Sequence, residues 1–468
     1  MILNSSEDLP VTGRLFGTSG IRGIVNEELT LELCERVGKA LGTILNPHTE
    51  VCLATDTRQS RDLIKESICT GLLSTGANVT DLGILPTPAL ALLTREMGFD
   101  SGIMLTASHN PPEYNGIKLF NKDTTGYSTT QEEEIEEVYF KGGFKQGKGV
   151  LKKGNNMQRN YFSFIREKLA PHKCNRKLVL VIDPGNGAAA GFASDIFTWM
   201  GCNIMTLNDE PDGLFPGRKP EPKEDTLKAT IEFLRRQGAD LAICFDGDAD
   251  RVVFCDREGF LGFDEALAFI SMLRVRDTGK KKVATTVESG KLLEFALREV
   301  GGELISGKVG DVNVAYLARE NDTALGVEGV GVYIFSELGY YPDSIFAALY
   351  LVSNLEYPGQ IRDYIKSLPS LSFEKTSLPC PNEAKNIVMT RLKAISPSDM
   401  AFTGEQPFIN NIDGLRLEYS DSWMLIRPSG TEPIIRIIAE STSKLQTVKL
   451  IEEGEKLVRQ ILSSCALK

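Results

Sequence analysis

Three aspartates at alternate positions, Asp246, Asp248 and Asp250, follow directly on the apolar run Leu241-Ala-Ile-Cys-Phe245 in a chain of 468 residues. A strand ending there delivers all three carboxylates into one small volume, where unpaired they repel one another. A divalent cation relieves the repulsion, and an all-oxygen donor set suits Mg²⁺, which keeps coordination positions for a phosphate oxygen. The chemistry this spacing suggests is phosphoryl transfer. An EF-hand calcium loop is excluded, since its sixth position would be Arg251 instead of glycine and its twelfth Arg257 instead of glutamate. A phosphatase with Asp246 as nucleophile and Asp248 as acid fits the same segment and stays open, although it leaves Ser108 unexplained.

Ser108 lies in Thr106-Ala-Ser-His-Asn-Pro-Pro112, after the apolar stretch Gly102-Ile-Met-Leu105, so that its hydroxyl sits at a second strand end with two prolines stiffening the chain beyond it. Read alone, the segment is an ordinary turn, because Ser, Asn and Pro all favour turns and a serine hydroxyl is a poor nucleophile until activated. His109 is one of only three histidines, and Lys118 follows shortly after. Arg427-Pro-Ser-Gly-Thr-Glu-Pro433 joins two apolar stretches; Arg427 can grip a phosphate bidentately and Gly430 lets backbone approach it. Phe16-Gly-Thr-Ser-Gly-Ile-Arg-Gly23 reads as a glycine-rich turn ahead of the first helix, carrying Arg22.

A formal charge of −11 with a pI near 5.1 gives no general attraction to nucleic acid or anionic lipid. The longest apolar run, 345–352, is far short of a membrane span, and the N-terminus lacks the regions of a signal peptide, so the cytoplasm is expected. Nine cysteines without a Cys-x-x-Cys pair argue against a disulfide framework or a zinc site, and read as small core residues.

These residues need strands and helices to position them. One order of elements, strand, helix, strand, helix, strand, recurs from Val51, from Leu178 and from Val283, which predicts three similar α/β units. Their ligand loops lie beyond the strand ends. The last hundred residues break the pattern and read as an α+β domain. The expected domains are 1–153, 154–259, 260–372 and 373–468, the first ending in the Gly/Lys-rich stretch 145–153 and the fourth bounded by the Pro/Ser-rich stretch 367–378.

Taken together, Gly17-Thr-Ser-Gly-Ile-Arg-Gly23, Thr106-Ala-Ser-His-Asn-Pro111, Asp246-Gly-Asp-Ala-Asp-Arg251 and Arg427-Pro-Ser-Gly-Thr-Glu-Pro433 resemble the α-D-phosphohexomutases, which include phosphomannomutases, phosphoglucomutases and phosphoglucosamine mutases. The resemblance spans essentially the whole chain. It implies three mixed α/β domains plus a C-terminal α+β, TATA-binding-protein-like domain around a central cleft, and a mutase acting on hexose phosphates as monomer or homodimer. It implies that Ser108 is phosphorylated, that its phosphate with Asp246, Asp248 and Asp250 holds Mg²⁺, and that Arg22, His109, Lys118 and Arg251 surround the reacting phosphate. Arg427, Ser429, Gly430 and Thr431 would hold the other phosphate, with a hexose 1,6-bisphosphate as intermediate and activator.

The sugar loop departs from the family. The usual Gly-Glu-x-Ser-Gly-His is here Val327-Glu-Gly-Val-Gly-Val332, in which Glu328 and Gly331 match while Val330 and Val332 replace serine and histidine. Lys308, in Gly307-Lys-Val-Gly-Asp311, is a further candidate sugar or phosphate contact, with Arg218 a weaker one. The resulting expectation is a phosphomannomutase or phosphoglucomutase, with phosphoglucosamine mutase as the alternative.

Overall fold

Strands whose two faces are both covered read as unbroken apolar runs, and Ser101–Leu105 and Leu241–Phe245 are buried at every position. They are the two strands that lead into the Ser108 and Asp246 loops. The structure, a computed structural model, describes residues 14–465 apart from 18, 46–47, 170–176 and 431.

The first sheet has six strands in the order Ile21–Ile24, Tyr114–Asn121, Ser101–Leu105, Glu50–Thr55, Asn78–Ile84 and Leu151–Lys153. Tyr114–Asn121 is antiparallel to both neighbours and the remaining pairs are parallel. The second sheet runs Val252–Cys255, Leu241–Phe245, Val179–Asp183, Asn203–Thr206. In the third, Glu303–Gly307, Lys282–Thr286 and Leu325–Glu328 are parallel and Val332–Ile334 closes antiparallel. The last is wholly antiparallel, in the order Ser372–Pro379, Ile434–Ser441, Ser422–Pro428, Leu415–Glu418, Phe408–Asn410, with helices Asn382–Lys393 and Lys444–Cys465.

Three mixed α/β sheets and a C-terminal antiparallel sheet are the expected fold class. By compactness the chain divides into two units, one of Met1–Lys173, Val181–Thr230 and Ile243–Asp250, the other of Cys174–Leu180, Ile231–Ala242 and Arg251–Lys468. The first unit has a core built around Val37, Leu41, Val51, Leu53, Ile68 and Ile103. In the second, Leu415, Leu417, Ile426, Ile435, Ile437 and Leu450 form the core under the C-terminal sheet.

The boundary stretch 367–378 carries a strand, Ser372–Pro379, which pairs with Ile434–Ser441 through eight residues. As an edge strand it is mostly exposed, so Ser and Pro cost little there and no apolar run advertises it. Similarly, Leu151–Lys153 within 145–153 is an exposed edge strand of the first sheet. The glycine-rich turn around Arg22 is also a strand, with Arg22 opposite Gly116.

The long apolar run 345–352 lies in the buried helix Ser344–Asn354, and no described helix is long and apolar enough to cross a membrane. Cys34, Cys52, Cys69, Cys244, Cys255 and Cys380 are buried, as small core residues should be. Cys202 departs from that reading, being disulfide-bonded.

Candidate active site

The first unit gathers Ser108, His109, Lys118, Arg22 and the three aspartates. Ser108 is buried and takes a left-handed backbone conformation, φ +51°, which an L-residue adopts only when its surroundings impose it. Its Oγ donates to Asp246 Oδ2 at 2.6 Å, with Asp250 Oδ1 at 3.5 Å and His109 Nδ1 at 3.4 Å. Arg22 Nη1 donates to Asn110 Oδ1 at 3.1 Å, which places its guanidinium beside the same loop.

What imposes that conformation is a buried ion pair that sequence reasoning missed. Asp56, at the end of strand Glu50–Thr55, binds Arg58 Nε at 3.0 Å and accepts from Thr106 Oγ1 at 2.7 Å, while Thr106 Oγ1 in turn accepts from the Ser108 N–H at 2.8 Å. The fully buried Arg58 guanidinium donates to the carbonyls of Ser108 (3.0 Å), Asn110 (2.6 Å), Tyr114 (2.9 Å) and Pro111, and lies over the Phe215 ring. A planar fork of donors suits several carbonyls at once. The available signal was Asp-x-Arg directly after an apolar strand.

Arg218 has the same kind of employment. It binds Asp183 Oδ2 at 3.1 Å and the carbonyls of Asp183 (3.0 Å), Phe245 (2.6 Å) and Lys219 (3.1 Å). Its guanidinium, suggested above as a weaker sugar or phosphate contact, is thus engaged at the root of the Asp246–Asp250 loop.

One carboxylate oxygen from each of Asp246, Asp248 and Asp250 lies within 4.8 Å of the other two, and all three residues are buried. Lys118 Nζ bridges Asp248 Oδ2 at 2.8 Å and Asp250 Oδ2 at 2.6 Å, and Thr87, opening helix Thr87–Glu96, donates from Oγ1 to Asp248 Oδ2 at 2.6 Å. Asp248 Oδ1 is buried with no hydrogen-bond partner. An orphaned carboxylate oxygen costs free energy unless something accepts its lone pairs. Three carboxylates against one bridging ammonium leave a net charge of two negative, which one divalent cation balances, so the donor set fits Mg²⁺. Gly247 lets this loop meet the Ser108 loop backbone to backbone: a Cβ there would lie 2.4 Å from Ser108 O.

The second unit holds the remaining residues. Glu328, ending strand Leu325–Glu328, accepts from the Gly310 N–H at 3.1 Å. Burial first, then Asp311 and Glu288, push its carboxyl up to about 7 against the opposing pull of Arg251 and that N–H. Gly331 has φ +86°, and a Cβ there would fall 2.5 Å from Val252 O, so its identity follows from close backbone approach. Val332 is buried in the core formed by Ala284, Val314, Ala315 and Ile334, with Val330 packed against it. Where the family resemblance supplies a hydroxyl and an imidazole, this chain thus extends its core. Lys308 is exposed and makes no hydrogen bond or ion pair with a described residue.

Arg427 ends strand Ser422–Pro428 and is engaged by two carboxylates, Glu288 Oε1 at 3.0 Å and Asp413 Oδ2 at 3.1 Å. Ser429 is buried, and its Oγ accepts from the Glu432 N–H at 3.2 Å. Gly430 faces open space. Thr431 lies outside the described residues.

Models of the phosphoglucomutase/phosphomannomutase family match the chain in four consecutive pieces: α/β/α domain I over residues 13–146, domain II over 159–259, domain III over 264–371 and the C-terminal domain over 378–456. A protein from Pyrococcus abyssi named as a probable phosphoglucosamine mutase is 36% identical over 459 residues, covering 97% of this chain and 100% of that protein. Another so named, from Methanothermobacter thermautotrophicus, is 40% identical over 437 residues, covering 92% and 94%. Among solved structures, a phosphoglucomutase/phosphomannomutase family protein from Burkholderia thailandensis matches with a TM-score of 0.85 at 25% identity, over 96% of this chain and 97% of that one.

Proposed function

This chain belongs to the phosphoglucomutase/phosphomannomutase family and is therefore a phosphohexomutase, an isomerase; on that premise we propose that it interconverts glucosamine 1-phosphate and glucosamine 6-phosphate through a phosphoserine at Ser108. What carries the choice of sugar is its similarity, at 36–40% identity over nearly the whole chain, to proteins named as probable phosphoglucosamine mutases. This reverses the ranking drawn from the motifs, which put mannose and glucose ahead. The motif that would discriminate is the one that departs from the family pattern, and it gave no lead.

In the proposed cycle the P–O bond to Ser108 Oγ breaks as a bond forms to the free hydroxyl of the bound sugar phosphate, giving a hexose 1,6-bisphosphate. The hydroxyl proton passes to His109, or to Lys118 in its neutral amine form. The bisphosphate turns, and its other phosphoryl group returns to Ser108 Oγ, releasing the isomer; added bisphosphate would prime the enzyme by the same route. Asp246, Asp248 and Asp250 would hold Mg²⁺, which supplies neutralisation of phosphate oxygen charge. Arg22 and Arg251 would add positive charge around the reacting phosphate. Arg427, Ser429, Gly430 and Thr431 would hold the other phosphate, which must displace Glu288 and Asp413 from Arg427. Glu328, Gly331 and Lys308 remain the proposed sugar contacts.

The test is direct. Protein is incubated with Mg²⁺, a trace of hexose 1,6-bisphosphate and, separately, glucosamine, glucose or mannose 1-phosphate, and 6-phosphate formation is measured. The highest kcat/KM is expected for glucosamine. A higher value for another sugar overturns the substrate assignment, and no turnover with any sugar overturns the proposed cycle.

A further inference from the structure

Loop 427–433 has a cation beneath it that belongs to none of the sequence motifs. Lys385, on helix Asn382–Lys393, is only 9% exposed, and its Nζ donates to the carbonyls of Ser429 and Glu432, each at 2.6 Å. No described carboxylate lies within ion-pair distance of it; the nearby Glu432 pairs with Arg436 at 2.7 Å. A buried ammonium satisfied only by carbonyl dipoles keeps its charge uncompensated, which is costly unless an anion arrives.

The geometry also aims a donor. In a trans peptide the carbonyl and the following N–H point in opposite directions, so drawing Ser429 O down onto Lys385 turns the Gly430 N–H the other way. That N–H has no hydrogen-bond partner among the described residues, and nothing lies within 4 Å of where a Gly430 side chain would begin. Hydrogen bonding of the carbonyl to a cation further polarises the peptide and strengthens its N–H as a donor.

We infer that Lys385 is a positioning residue for the phosphate loop, fixing the Ser429–Gly430 peptide with its N–H outward and supplying, from below, positive charge to a phosphate monoester dianion. The inference rests on the proposed role of loop 427–433 in holding the non-reacting phosphate. It adds one positive charge to a loop whose Arg427 is already shared between Glu288 and Asp413.

The test uses the full chain carrying Ser108→Ala, so that binding is read without phosphoryl transfer, and glucosamine 6-phosphate as the probe in calorimetry. Lys385→Gln retains two N–H donors for the two carbonyls but drops the charge; Lys385→Arg retains the charge. Affinity is expected to fall about tenfold or more for the Gln variant, the scale of a lost charged hydrogen bond, and to recover in the Arg variant. In the otherwise unsubstituted enzyme, Lys385→Gln should raise KM far more than it lowers kcat. Equal affinity of the Gln variant and its parent would overturn the inference. So would a Gly430 amide resonance that does not move when the ligand is added to protein with Lys385 intact, a measurement that needs no Lys385 variant to fold. Failure of the proposed function would show instead as absence of turnover in the unsubstituted enzyme, whatever Lys385 does.

Discussion

Replacing Arg58 by methionine keeps much of the side-chain volume and removes the whole guanidinium. The loss comprises one ion pair with Asp56 and donors to four carbonyls of the Ser108 loop, all of it away from water. Breaking a buried pair by deleting one partner costs about 3–5 kcal/mol, and the orphaned carbonyls would add about 1–3 kcal/mol each if nothing relaxed. Two things limit the total. Burial already pushes the Asp56 carboxyl upward, so it takes up a proton instead of remaining an unpaired charge. Freed of its restraint, the loop also moves until water reaches its carbonyls. About 3–5 kcal/mol is therefore the expected destabilisation, a melting midpoint lower by about 10 °C. That same loop movement is what should damage catalysis, because Ser108 no longer holds φ +51° with its Oγ on Asp246. Misplacement by about 1 Å costs on the order of 100-fold in rate, so kcat should fall by at least that much with little change in KM. The assays are a thermal melt, steady-state mutase kinetics and phosphoserine occupancy by mass spectrometry. A variant that melts early but keeps kcat within about tenfold of the parent would refute the link from Arg58 to Ser108 geometry.

Asp248→Asn should weaken Mg²⁺ dependence and reduce kcat by about 100-fold or more, and chelation should abolish turnover of the parent reversibly; Mg²⁺ titrations of both proteins check this. Gly247→Ala drives a methyl against Ser108 O and should cost on the order of 1–3 kcal/mol, read by denaturant unfolding, together with activity. Glu328 gives a pH signature. Its folded value of about 7 lies above the ordinary 4.5, so between those values the native state holds a proton that the unfolded chain has released. Its contribution to stability is present in full below 4.5 and is lost as pH rises through about 7. Glu328→Gln should flatten that part of a stability profile measured across the window, and an unchanged profile would exclude the assignment.

How much of this the sequence disclosed depended on whether a residue's partners were near it in the chain. Asp246, Asp248 and Asp250 could be read at once because the cluster that needs a cation is assembled by five consecutive residues after one strand. Arg58 showed only its pairing with Asp56 two positions before it, since its other partners are backbone atoms some fifty positions further on and carry no residue signature. Thr87 and Lys385 were silent for the same reason, the first acting on Asp248 across 161 positions and the second on carbonyls. Strand Ser372–Pro379 escaped notice because an edge strand with little burial has no apolar period to display. Arg427 is a candidate phosphate ligand by residue type, but its engagement by Glu288 and Asp413 depends on residues 139 positions before it and 14 before it, which only the fold brings together. Sugar preference was illegible at Val330 and Val332, where side chains that could have met a ligand serve the core instead.

The bond from Ser108 to Asp246 spans 138 positions of chain. During synthesis at about 5–20 residues per second, the serine leaves the ribosome on the order of ten seconds before the first of the three aspartates. On the proposed cycle, Ser108 would stand through that interval without the aspartates that would hold the cation beside its phosphate. Acquisition of the first phosphate would then be confined to a chain long enough to carry both loops.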